Sequence, residues 1–172
     1  MAANGVQFTW QGIAAAVYGS ASARLRWGMA PLPAGKFRLF DGAIDGACNQ
    51  IAVTSFSVAA SGAWEYDLRG GGGELDLVNR GLSLASLKLL LVVVTDPAAT
   101  KSLWFGPQNR SNTAQLWFNG VVAADRCQVR DYFWQSDRQS GWAVSSGNGK
   151  IALTNPGSVT VAGTVLVAGV KT

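Results

Sequence analysis

The side chains that could break bonds are few in this sequence, and the most versatile of them is missing. There is no histidine, which removes the Ser-His-Asp and Cys-His nucleophile systems together with the commonest transition-metal ligand. Cys48 and Cys127 stand far apart, a spacing that makes no zinc motif and leaves open either two buried thiols or a disulfide. Carboxylates number ten, and a glycosidase needs only two, one on each side of a bond. Glu65 and Glu74 are the only glutamates; Glu74 and Asp76 alternate as along a strand face, while Asp125, Asp131 and Asp137 recur beside Arg126, Arg130 and Arg138. Such acids read as exposed ion pairs at strand ends, worth ~0 to 1 kcal/mol each, rather than as a paired general acid and base. Asp41 and Asp45-Gly46 lack the spaced oxygens and closing glutamate of a calcium loop. No catalytic residue, no metal ligand set and no cofactor site is therefore expected, and the chain reads as a non-enzyme.

Two glycine-rich stretches invite comparison with phosphate loops. Arg69-Gly70-Gly71-Gly72-Gly73-Glu74 could wrap an anion in backbone amides, yet no strand-to-helix junction follows. Gly147-Asn148-Gly149-Lys150 is followed by Ile151, where magnesium binding needs Ser or Thr. The chemistry that remains is stacking, since the chain carries seven tryptophans. Trp10, Trp27 and Trp64 sit in alternating runs and read as core. Trp104, Trp117, Trp134 and Trp142 lie near glycine, glutamine and asparagine. With Tyr132 these four are the candidate interface residues, able to meet a protein partner or the ring of a sugar.

The elements that must position these side chains read as strands. Val6, Phe8 and Trp10 alternate, as do Leu25 and Trp27, Phe37 and Leu39, Ile51, Val53 and Ser55, and Trp64, Tyr66 and Leu68. Residues 87–95 (LKLLLVVVT) are apolar on both faces after Lys88, the pattern of a central strand covered on both sides. Further strands are expected over 102–105, 114–118, 126–134, 141–144 and 150–153. A last strand should hold Val159, Val161, Val165 and Val167 on one face, with Gly163 as a bulge or close-packing site. Asn155-Pro156-Gly157 marks a turn, and residues 69–73 a mobile loop. The single helical candidate is the short segment 82–90. About a dozen short strands predict an all-β fold, an antiparallel β-sandwich of the jelly-roll kind, formed as one domain over residues 1–172.

Composition points the same way. Charged residues make up 14% of the chain and hydrophobic ones 48%, so a weakly charged surface suited to lateral packing is expected. The net charge of +4 looks dispersed along the chain, which argues against nucleic acid as a partner. The first residues lack the basic stretch and apolar core of a secretory signal, so synthesis in the cytoplasm is expected. The longest aliphatic run, residues 89–94, is too short to span a bilayer.

From Tyr66 onward the chain resembles small virion structural proteins of tailed bacteriophages, of the accessory or decoration type. The matching features are Tyr66-Asp67-Leu68 leading into Leu82-Ser83-Leu84-Ala85-Ser86-Leu87-Lys88 and the aliphatic run, then Asp96-Pro97 and Phe105-Gly106. Near the end they are Ser140-Gly141-Trp142-Ala143-Val144 and the run from Leu153 through Asn155-Pro156-Gly157 to Val161. The resemblance implies a non-enzymatic β-sandwich that forms a homo-oligomer, a trimer or larger ring, on a capsid or tail surface, with other virion proteins as partners and the virion as its location. It brings no catalytic residues. The alternative reading is a carbohydrate-binding module that stacks sugars on Trp134 and Trp142.

Overall fold

In a computed structural model the described residues are 3–9, 13–18, 21–26, 36–40, 48–77, 79–95, 103–105, 127–136, 141–147 and 149–172. All the regular elements among them are strands. The first four, β1 (Ala3–Thr9), β2 (Ile13–Tyr18), β3 (Ala21–Arg26) and β4 (Lys36–Phe40), form an antiparallel sheet in the order β3-β2-β1-β4. Its register sets Val6 opposite Leu39 and Phe8 opposite Phe37, with Leu25 in line through Ala14. The alternation read in these segments is thus kept in the pairing, whereas Trp10 and Trp27 lie outside the described residues.

Nine further strands follow: β5 (Gln50–Val58), β6 (Ala63–Asp67), β7 (Leu84–Val94), β8 (Leu103–Phe105), β9 (Cys127–Val129), β10 (Tyr132–Ser136), β11 (Trp142–Ala143), β12 (Lys150–Thr154) and β13 (Val161–Lys171). One sheet runs β10-β7-β13-β5, with β11 extending the β10 edge along β7; the other runs β6-β12-β8-β9. Successive strands alternate between the sheets as far as β8; β9 stays beside β8, β10 and β11 return to the first sheet, β12 joins the second, and the last strand inserts between β5 and β7. That order is the double Greek key of a jelly roll. The chain is an all-β protein, and these strands form an antiparallel β-sandwich.

The two inner faces meet in one core. Ala52, Phe56 and Val58 of β5, Leu87, Leu90, Val92 and Val94 of β7 and Val161, Val165 and Val167 of β13 face Tyr66, Leu103, Phe105, Ile151 and Leu153 of the other sheet. Rings bridge the layers: Phe105 stacks on Phe133 at 4.8 Å and Phe56 meets Trp64 at 5.7 Å. Each fully buried Leu or Phe contributes about 1.5–3 kcal/mol through the water it sheds. The opposite face of the β7 sheet is buried too, since Leu89, Leu91, Leu166, Ala168 and Ile51 are all 2% exposed or less. The expectation of a central strand covered on both sides therefore holds over 87–94, while Thr95 lies past the end of β7 and is exposed.

Several expectations are corrected. Segment 82–90 is not helical; from Leu84 it is β7. The three-residue spacing of Leu84, Leu87 and Leu90 comes from irregularities in the β7–β13 ladder, where Ala168 faces Leu89 but Gly169 faces Leu87, and Val170 faces Ser86 but Lys171 faces Leu84. Each extra residue returns the next leucine to the core face. Residues 126–134 are not one strand, because a turn at Arg130-Asp131 passes the chain from β9 in one sheet to β10 in the other. Val159 precedes β13 and is 41% exposed, so it does not share the core face of Val161 and Val165. Ile51, Val53 and Ser55 share a face, but the outer one; Ala52 and Phe56 reach the core. Gly163 proves to be a close-packing site, since a Cβ there would run into the Val93 carbonyl oxygen and the Phe56 ring. The strand expected over 114–118 lies outside the described residues.

Candidate functional site

The acids of the sequence converge more than their spacing suggests. At the end of β6 a shallow hollow is lined by Glu65, Asp67, Gly71, Gly72, Glu74 and Lys150. The glycine stretch there is a pair of tight turns, with Gly70 at φ 72° and Gly73 at φ 86°, closed by Gly70 N to Asp67 O and Gly73 N to Gly70 O. The backbone amides do cradle an anion, and it is the chain's own. Glu74 accepts from Gly72 N at 2.9 Å and from Asp67 N at 3.2 Å. Asp67 accepts from Arg69 N at 2.8 Å, and Glu65 pairs with Lys150 at 3.2 Å across the β6–β12 ladder. All three carboxylates are engaged in holding the loop and the strand pair, which ties down the stretch expected to be mobile. Burial, and after it the Glu74 carboxylate, holds the Tyr66 hydroxyl far above the usual range of a phenol.

Glu74 and Asp76 do not share a strand face. Leu75 makes an isolated bridge to Gly81, and the turn between them is tied by buried Asp76, which accepts from Arg80 N and Arg80 Nε at 2.9 Å each. No group of three or more Cys, Asp or Glu able to hold a metal occurs among the described residues. Cys48 is a buried thiol that donates to Gln50 O.

The five candidate interface residues do not form one platform. Tyr132 is 44% exposed, on the outer face of the β7 sheet. Trp134 takes the register position opposite Leu91, and its side chain lies outside the described residues. Trp104, between core residues Leu103 and Phe105 in β8, is on the outer face of the other sheet, half-buried. Trp142 packs against the core cluster, and Trp117 lies outside the described residues.

Sequence reading missed the edge of β5. This strand ends its sheet, pairs on one side with β13, and carries no charge, proline or register break along its length. At its start the Ile51 carbonyl accepts from Leu77 N at 2.9 Å. By strand alternation Val53, Ser55 and Ser57 also turn their main-chain groups away from β13; among the described residues no other strand pairs with them there, and the Ser55 carbonyl accepts from Thr54 Oγ1 at 3.4 Å. Natural edge strands are usually blunted by lysine, proline or a bulge. The signal was present in sequence as a charge-free stretch from Gly46 to Trp64, but only the strand order shows that it forms an edge.

No known family matches this chain, and no curated protein does. Among solved structures it is similar to the Yersinia pseudotuberculosis-derived mitogen, at 14% identity and a TM-score of 0.35 over 70% of this chain and 85% of that one.

Proposed function

We propose that this protein is a non-enzymatic structural component of a phage or virus particle that assembles through its jelly-roll surfaces. The observation that carries the reading is the unblunted edge of β5. A second copy fits it: antiparallel pairing about a two-fold axis at Ser55 sets Ser55 against its counterpart and Val53 against Ser57 of the partner subunit. No charged side chain meets another there, and the sheet continues from one subunit into the next. The jelly roll is used by capsid and lectin domains alike, so the fold by itself does not decide. The phage resemblance and the low charge favour the structural reading.

Native mass spectrometry at micromolar concentration tests it. Dimers or larger even-numbered assemblies are expected, and Ser55→Lys should return them to monomers by placing like charges across the axis. A strict monomer would sink the proposal. A trimer indifferent to Ser55→Lys would move the contact to another surface. The glycan alternative loses ground because Trp142 packs on the core and Trp104 and Tyr132 lie on opposite faces. Tryptophan fluorescence that a glycan panel leaves unchanged would remove it.

A further inference from the structure

The whole net charge of the protein belongs to its first forty residues. They hold Arg24, Arg26, Lys36 and Arg38 and no acid, whereas residues 41–172 hold ten bases against ten acids. In the β1–β4 sheet the pairing brings these four positions together. One row of the register runs Arg24, Ala15, Gln7, Arg38, and a second runs Arg26, Ile13, Thr9, Lys36. Residues directly opposite share a face, as do residues two apart on a strand. All four basic positions therefore fall on one face; the row between them, Leu25, Ala14, Phe8, Phe37, and the row beyond Arg24, Ala23, Ala16, Val6, Leu39, fall on the other.

The layout has a definite geometry. The basic positions occupy the two outer strands, β3 and β4, about 14 Å apart across three strand spacings and about 7 Å apart along each strand. Between them stand uncharged Ala15, Ile13, Gln7 and Thr9. A duplex presents two phosphate backbones on either side of a major groove about 12 Å wide, so each outer strand can serve one backbone. We propose that this basic face binds duplex nucleic acid through its phosphates, without reading sequence. Charge that looks scattered along the chain is gathered by the register, which composition alone does not reveal.

Fluorescence anisotropy with a labelled DNA duplex and the full chain tests this. Four phosphate contacts predict that affinity falls about 150-fold between about 50 and about 200 mM salt. Replacing Arg24, Arg26, Lys36 and Arg38 together by Gln should abolish binding, while a second variant with Lys at the three arginines should keep it. A sandwich control, Arg69→Gln with Lys171→Gln, should bind like the parent. The proposal is overturned if the parent does not bind at low salt, if the sandwich control loses as much as the fourfold variant, or if the Lys variant fails while its circular dichroism matches the parent. Equal binding to polyglutamate, or binding to anionic vesicles in place of DNA, would overturn it as well.

Discussion

Tyr66 shows how one side chain couples the core to the loop above it. Its ring is stacked on Trp64 at 5.6 Å inside the sandwich, and its hydroxyl lies under the influence of Glu74. Because folding raises its pKa above the ordinary 10.0, the folded state favours the neutral phenol. That contribution is complete below about pH 10 and is lost as pH climbs, when the unfolded chain ionises and the folded one does not. The melting temperature should begin to fall near about pH 10 and go on falling as pH rises further, and Tyr66→Phe should flatten the decline; an equal slope in both proteins would assign it elsewhere. The inward face of Tyr66 was legible from its alternation with Trp64 and Leu68. Its neighbour Glu74 was not, because Glu74 belongs to a turn whose geometry depends on glycines at positive φ. The aromatic candidates failed as a single patch for a related reason: nearby glycine and asparagine mark a turn but do not say which sheet follows it.

At the level of elements, periodicity was a sound guide wherever a ladder is regular and misleading where it is not. β6 and most of β13 kept the expected faces, and β12 formed where a strand was expected. β7 mimicked a helix at its start because irregular pairing near Lys88 imposes a three-residue leucine spacing, and no pattern in one strand announces what its neighbour will do. The segment that became β9 and β10 looked continuous because the turn at Arg130-Asp131 contains neither glycine nor proline. The loop joining β6 to β7 is ordered by the Glu74 carboxylate at Gly72 N and Asp67 N. Glu74→Ala should speed hydrogen exchange at the Gly72 and Asp67 amides about tenfold to a hundredfold, as expected when a charge-assisted bond is removed. Exchange in β13 should be unchanged. Acceleration that spread into β13 would mean the carboxylate supports the sandwich as a whole.

For the whole molecule, sequence reading reached the class and the sandwich but not the order of strands, because pairing joins segments more than a hundred residues apart, as Val58 with Val161. Protection should follow that order. The slowest-exchanging amides are expected in β7 and β13, the strands flanked on both sides and buried on both faces, and β5 should exchange faster despite its length. Uniform protection across the sheet would contradict an edge that no described strand covers. The central place of β13 also governs how the protein can be made. On the ribosome β5 and β7 emerge early but cannot be joined until the residues near 170 leave the exit tunnel. A chain cut short before residue 161 presents two bare apolar ladders, so it should be cleared by proteases or precipitate instead of persisting as a shortened but folded product.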